Sequence, residues 1–224
     1  MSKAVVLLSG GLDSCVSLAM ALESGIKCEA ITISYGQKHL LEIESARRIA
    51  KYYSLEKHLE FNLELSSIGG SALTDHAIEV PKGDLPDSSG HKKPKTYVPG
   101  RNIIFLAIAL SFAEVRGADQ IIIGANILDY SGYPDCRPDF LKSFEKMASL
   151  GTFKGINETG IEINAPLIEM SKEEIILKGI ELSAPLGLTW SCYDPSGKDP
   201  CKLCEACQLR RNGFEQAGYV DLII

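Results

Sequence analysis

Ser9-Gly10-Gly11-Leu12-Asp13-Ser14 is the stretch whose residue types and spacing bear most directly on chemistry. Two glycines between hydroxyl residues let backbone N–H groups approach an anion with no side chain in the way. The stretch follows the apolar run Ala4-Val5-Val6-Leu7-Leu8 and precedes a helical pattern from Cys15 to Leu22. The loop therefore opens onto a helix N-terminus, where a phosphate meets free amides and the positive end of the helix dipole. Ser9 and Ser14 add hydroxyl donors, and Asp13 suits the helix start or a metal ion. The Gly-Lys-Ser/Thr sequence that grips phosphates in kinases and GTPases is absent from this loop. The plain alternative is a Ser/Gly turn before an ordinary helix.

A second cluster lies near the other end. Of seven cysteines, Cys15 and Cys28 sit in apolar runs and read as small core residues. Cys192-x8-Cys201-x2-Cys204-x2-Cys207 differs, because two-residue gaps let neighbouring thiolates converge on one ion. Four thiolates make a closed, tetrahedral, structural zinc site. His39, His58, His76 and His91 all lie far upstream, so an all-cysteine set is the natural one. An iron–sulfur cluster is the rival, but that pattern puts a cysteine where Arg211 stands. Lys198, Lys202, Arg210 and Arg211 are placed to offset the negative charge of such a centre. An odd cysteine count without a secretory signal pattern argues against a disulfide framework.

Three further motifs carry chemistry. In Val98-Pro99-Gly100-Arg101-Asn102, Asn102 is a good N-cap for the apolar run that follows. Arg101 then stands beside a helix N-terminus, the end that cations avoid. A residue placed against its local preference points to a functional site, here a partner for phosphate or a substrate carboxylate. Ser34-Tyr35-Gly36-Gln37-Lys38-His39 suits recognition of adenine or ribose, with His39 read as a surface residue at a helix start. Asp129-Tyr130-Ser131-Gly132-Tyr133-Pro134-Asp135-Cys136-Arg137 offers aromatic faces for a heterocycle and carboxylates for exocyclic amines or magnesium. Turn formation alone would also account for its composition, and Cys136 has no evident activating partner.

The elements that must position these residues alternate. Strands are expected at Ala4–Leu8, Cys28–Ser34, His58–Leu63 and Gln120–Gly124, with helices at Ser14–Glu23, Leu40–Tyr53 and Asn102–Arg116. Runs such as Ile121-Ile122-Ile123 do not alternate, which fits strands covered on both faces. The pattern predicts a doubly wound parallel α/β sheet with ligands beyond the carboxyl ends of the strands. Ser171 is expected to cap a helix over Met170–Leu182, with Glu174 completing a capping box. Between Leu65 and Pro99, Pro, Gly and Ser with Lys92, Lys93 and Lys95 suggest a long mobile insertion. The chain of 224 residues carries a formal charge of -6, which argues against a large nucleic-acid footprint. Its longest apolar run, Ile103 to Ala113, is too short for a membrane span. One domain over 1–224 is expected, with the cysteine segment at 188–212, in a cytoplasmic protein.

Together, Ser9–Ser14, Ser34–Gln37, Val98–Asn102, Ser131–Arg137 and Cys192–Cys207 resemble the 7-cyano-7-deazaguanine synthase family of the queuosine pathway. That family lies within the pyrophosphate-loop ATPases, and the resemblance runs nearly end to end. It implies an adenine nucleotide alpha hydrolase-like fold and ATP binding by Leu8, Ser9, Gly10, Gly11, Leu12, Asp13, Ser14, Cys15, Val16, Ser17 and Leu18. Asp13 and Arg101 become catalytic candidates, and Tyr35, Gln37, Asn102, Asp129, Tyr133, Asp135 and Arg137 substrate-binding candidates. Cys192, Cys201, Cys204 and Cys207 would bind Zn2+, with Mg2+ accompanying ATP, in a homodimer without nucleic-acid or membrane partners. The implied reaction turns 7-carboxy-7-deazaguanine, ammonia and ATP into the nitrile through an adenylated carboxylate and an amide. The length leaves no room for a glutaminase domain, so free ammonia is the expected nitrogen source. Two other readings stay open: an ATP enzyme that thiolates tRNA, with a basic surface and a reactive cysteine, and a zinc-stabilised nucleotide-binding module without chemistry.

Overall fold

The computed structural model describes residues 2–83, 93–128 and 133–224. Five parallel strands form one sheet in the order β3-β2-β1-β4-β5: β1 (Lys3–Leu7), β2 (Lys27–Ser34), β3 (His58–Asn62), β4 (Gln120–Ile123) and β5 (Glu162–Asn164). In the central register Val6 lies opposite Ala30 on one side and Ile122 on the other. Helices α1 (Leu12–Glu23) and α2 (Leu41–Tyr52) cover one face, where Ala4, Val6, Leu8 and Ile122 pack with Leu18, Ala46 and Ile49. Helices α3 (Arg101–Arg116) and α4 (Pro138–Gly151) cover the other, where Val5, Leu7, Ile31 and Ile121 pack with Leu106, Leu110 and Phe144. Apolar residues face both sides, so the central strands show no alternation. The chain builds outward from β1 to β3, then returns past β1 to lay down β4 and β5. That reversal opens a crevice at the carboxyl ends of β1 and β4, the usual ligand position in such sheets.

A further layer packs outside α1. Short α5 (Phe153–Asn157) precedes β5, and α6 (Lys172–Glu181) and α7 (Glu205–Ala217) follow it. Val16 of α1 meets Ile175, Ile176 and Phe214 there. The expected capping box at Ser171 and Glu174 is present. Three expectations need correction. Helix α3 begins at Arg101 after Gly100 in the left-handed region, φ 65°, so Asn102 is inside the helix and does not cap it. Its N–H donates to Asp135 Oδ2 at 2.9 Å, and the capping acceptor comes from another segment. The stretch after Leu65 is not a loose insertion where it is described: Ala72 and Val80 are buried against Trp190 and the cysteines, and Lys82 bridges to Cys204. Residues 84–92 lie outside the described residues. Finally α4, α5, β5 and α7 have no counterpart among the expected elements. Strand β5 has only three residues, and α7 starts inside the cysteine cluster.

Arg210 of α7 closes this outer layer. It is 2% exposed and forks onto Asp221, Nε to Oδ2 at 2.6 Å and Nη2 to Oδ1 at 2.9 Å. Its Nη1 donates to Thr189 Oγ1 at 2.7 Å and its Nη2 to Leu186 O at 3.2 Å. One guanidinium thus ties α7, the segment before the cysteines and the chain end. Removing one partner of a buried pair strands the other's charge. Arg210→Met should therefore lower the unfolding free energy by about 3–5 kcal/mol, with Arg210→Met/Asp221→Leu recovering much of it. Chemical denaturation of the two variants checks this.

Candidate active site

The crevice is a cleft of about 200 Å³ at the carboxyl ends of β1, β2 and β4. Ser9, Gly11, Asp13 and Ser14 line it from the loop after β1, Tyr35 and Gln37 from beyond β2, and Gly124, Ala125 and Asn126 from beyond β4. The loop is folded on itself: Gly11 N–H donates to Ser9 Oγ at 3.2 Å, and Ser14 Oγ to Gly11 O at 3.0 Å. Gly10 adopts φ 90°, and a Cβ there would stand 2.0 Å from the Glu42 carbonyl oxygen. Only glycine meets both demands. Of the expected ATP-binding run, Leu8 and Leu12 also line the cleft, whereas Cys15, Val16 and Leu18 pack into the core and Ser17 is buried.

Two cations reach the cleft from helix starts. Arg101, first residue of α3, lies over the Tyr35 ring at 5.8 Å, and no carboxylate among the described residues stands within ion-pair distance of it. Lys172, first residue of α6, is 9% exposed and places Nζ 2.6 Å from Asp13 Oδ1. Asn126 fixes this arrangement by donating to Leu167 O at 3.0 Å and to Met170 O, just ahead of α6. The sequence reading missed Lys172, although a cation opening a helix whose next residues are Glu173 and Glu174 is the anomaly that marks Arg101. It also missed Glu42, which lines the cleft from the start of α2. Burial pushes the Glu42 carboxyl up to about 7, with Arg101 pulling the other way.

The other substrate-binding candidates divide. Tyr35, Gln37, Asn102 and Tyr133 line the cleft. Asp135 is buried behind it, holding the start of α3. Arg137 is exposed at the N-cap of α4 and does not line it. Asp129, with Tyr130, Ser131 and Gly132, lies outside the described residues. Cys136 borders the cleft and accepts from Asn102 Nδ2 at 3.2 Å, and burial pushes its thiol up to about 11. His39 is half-buried rather than a fully exposed surface residue: its ring meets Trp190 edge-on at 6.4 Å.

The four sulfurs of Cys192, Cys201, Cys204 and Cys207 lie within 4.8 Å of one another. Tetrahedral thiolates about 2.3 Å from a zinc ion would stand about 3.8 Å apart, so the set fits. Backbone amides already face the sulfurs: Cys201 N–H donates to Cys192 Sγ at 3.2 Å, Cys204 N–H to Cys201 Sγ at 3.3 Å and Tyr193 N–H to Cys204 Sγ at 3.4 Å. Such donors favour thiolate over thiol. Hydrogen bonds from the neighbouring Cys192 and Cys207 pull the Cys204 thiol well below the ordinary thiol value, favouring its thiolate. The expected charge offset from Arg210 is not there, because that side chain is spent on Asp221. Lys82 instead lies near the cluster, paired with Asp194 at 2.8 Å. The cysteine segment reaches the cleft directly, since Trp190 N–H donates to Gly10 O at 2.9 Å.

The model of one family, QueC, described as queuosine biosynthesis protein QueC, matches residues 3–218. The chain belongs to the QueC family. Curated relatives named 7-cyano-7-deazaguanine synthase include one from Syntrophus aciditrophicus (strain SB), 50% identical over 222 residues, covering 98% of this chain and 95% of that protein. Another, from Gloeothece citriformis (strain PCC 7424), is 48% identical over 221 residues, covering 98% and 94%. Among solved structures, a 4-thiouridine synthetase–RNA complex with bound ATP superposes with a TM-score of 0.50 at 22% identity, over 97% of this chain and 50% of that one. That likeness concerns the fold alone. Among the described residues, no helix of this QueC member is long and apolar enough to cross a membrane.

Two outcomes follow. Cys204→Ser should release the bound metal and lower the melting temperature by about 10 °C, because metal binding and folding of such segments are linked; elemental analysis and a thermal melt check it. For Glu42, the folded carboxyl titrates near 7 against an ordinary 4.5. Its contribution to stability is fully present below the unfolded value and is lost as pH rises through the folded one. Glu42→Gln, which cannot ionise, should gain in melting temperature over the wild type between about pH 5 and pH 8, the two curves converging in acid.

Proposed function

We propose that the chain is an ATP-dependent carbon–nitrogen ligase that converts 7-carboxy-7-deazaguanine and ammonia to 7-cyano-7-deazaguanine. The observation that carries this reading is that one cleft is lined by the Ser9–Ser14 loop, by two cations at helix starts and by Tyr35, Asn102 and Tyr133. The cleft thus offers an anionic nucleotide tail and a flat acidic heterocycle one shared, solvent-open space.

A carboxylate resists ammonia because oxide is a poor leaving group. Attack of the carboxylate oxygen on the α-phosphorus of ATP expels pyrophosphate and leaves an acyl adenylate, from which AMP departs readily. Amides of the Ser9–Ser14 loop, the Ser9 and Ser14 hydroxyls and Lys172 stabilise the charge that develops on pyrophosphate. Asp13, whose Oδ2 is not engaged by Lys172, is the residue suited to hold Mg2+, which would shield the phosphate oxygens. Arg101 orients the carboxylate, or the phosphate bridging to it, with two parallel donors. Ammonia gives the amide; activating the amide oxygen once more lets it leave on phosphorus while the nitrogen gives up its two protons, which forms the nitrile. The tyrosine rings supply stacking faces for the deazaguanine. Zinc held by Cys192, Cys201, Cys204 and Cys207 has a closed structural role.

The thiolation alternative needs a reactive cysteine, and Cys136, the cysteine that lines the cleft, is held as a thiol by burial. A homodimer in the cytoplasm belongs to the same reading, with exposed Leu150, Phe153 and Ile156 as the supporting apolar face.

The test is mass spectrometry of metal-loaded protein incubated with 7-carboxy-7-deazaguanine, ammonium and Mg-ATP. Nitrile should form, with AMP or ADP appearing only when the acid is present; active-site-competent protein that never converts the acid would contradict the reading. Arg101→Ala should lower kcat/KM for the acid by about 10- to 100-fold, and Arg101→Lys should recover little of it, because a point charge lacks the fork.

A further inference from the structure

Three reactants must meet in this enzyme, and ammonium is the one with no residues yet assigned to it. Beside the main cleft lies a second cavity of about 10 Å³, room for one water-sized molecule. Tyr35, Gln37, His39, Glu42, Leu73 and Tyr193 line it, and four of these, Tyr35, Gln37, Glu42 and Tyr193, line the cleft as well. The two spaces share these side chains as a common wall.

Ammonium has the size of water, carries four donors and accepts nothing. It is held by a carboxylate, by unpaired acceptors and by aromatic faces. The small cavity offers each. Glu42 is the carboxylate on its wall, and among the described residues that carboxylate has no hydrogen-bonded or ion-paired partner. His39 Nδ1 is buried with no partner and accepts when the ring carries its proton on Nε2. Tyr35 and Tyr193 are the aromatic residues on its wall. Lys38 also borders the cavity, but its ammonium group is tied to Ile78 O at 2.7 Å. The cavity is fixed relative to the phosphate loop, because the peptide of Glu42 packs directly against Gly10.

We propose that this side cavity is the ammonium subsite and that Glu42 holds the ammonium and takes its first proton. The inference rests on the ligase reading above. One N–H bond of ammonium breaks, its electron pair stays on nitrogen, and the proton goes to a Glu42 oxygen. The freed pair forms the C–N bond at the acyl carbon while the C–O bond to AMP breaks and AMP carries that pair away. A second proton leaves the new amide nitrogen to solvent through the open cleft. Arg101 faces Glu42 from α3, Lys38 and His39 from the loop before α2, and Tyr35 and Tyr193 complete the titratable neighbours. Arg101 repels ammonium until an anion engages it, so the subsite fills best after the acid and ATP are bound. With its carboxyl near 7, Glu42 exchanges a proton with solvent at neutral pH.

The test is steady-state kinetics on the full-length, metal-loaded enzyme, varying ammonium chloride, ATP and the acid in turn. Glu42→Gln should raise the KM for ammonium by about tenfold or more, with the KM for ATP and for the acid moving by less than about twofold. It should also remove the limb near pH 7 from the profile of kcat/KM for ammonium. Glu42→Asp, with the charge kept but withdrawn, should fall between and serves in its place if Glu42→Gln does not fold. An unchanged KM for ammonium, or an equal rise for all three substrates, would overturn the subsite. A wild-type enzyme that makes no nitrile from ammonium would overturn the parent reading instead, and this one with it.

Discussion

Three parts of the molecule converge on the backbone of Gly10. Its left-handed φ turns the chain from β1 into α1, its α-carbon leaves no room for a side chain against the Glu42 carbonyl, and its own carbonyl takes the Trp190 N–H. The Ser9–Ser14 loop, the start of α2 and the segment leading into the cysteines are thereby fixed to one peptide. The four cysteines placed to hold a metal ion lie beside this contact. An ion bound there would lock Cys192 to Cys207 and so hold Trp190, Ser191 and Tyr193 on the rim of the cleft. The same segment is also held by Ala72 and Val80, buried against Trp190 and the cysteines, and by Arg210 through Thr189.

The electrostatic plan follows from the sheet topology. Strands that all point one way deliver α1, α3 and α6 with their N-termini at one end. Each of the three brings a residue to the cleft: Asp13 from α1, Arg101 from α3 and Lys172 from α6. Two of those are cations placed where the helix dipole disfavours them. The chain is acidic as a whole, yet Arg101 borders the cleft with no carboxylate among the described residues within ion-pair distance, which suits an anion. In this structure Lys172 is neutralised by Asp13, so the repulsion between like charges is relieved until an anion arrives.

Much of this was legible in the sequence where one local signal sufficed. Non-alternating apolar runs marked the buried parallel strands, the capping box marked α6, and the spacing of Cys192 to Cys207 marked four sulfurs that converge as a metal would need. Legibility failed where the decisive partner is distant in the chain. Asn102 has the chemistry of an N-cap, but Asp135 from the next crossover took that part and pulled Asn102 inside the helix. Arg210 looked like a counter-charge for the thiolates, but Asp221 lies closer in space. The stretch around Ala72 and Val80 has the composition of a loop and is nonetheless buried against the cysteine segment, because its few apolar residues find one another's surroundings only after folding. Lys172 was readable by the same dipole argument as Arg101. Glu42 was not, since nothing local distinguishes it from any glutamate in a first helical turn.

One cleft, built on Gly10 and the three helix starts, is proposed to receive both the nucleotide and the acid. A crystal structure with a non-hydrolysable ATP analogue and 7-carboxy-7-deazaguanine decides this. Phosphates should lie on the amides of the Ser9–Ser14 loop with Lys172 turned onto them, and the acid's carboxylate within reach of Arg101. Nucleotide bound away from that loop, or the acid bound in a separate place, would overturn it.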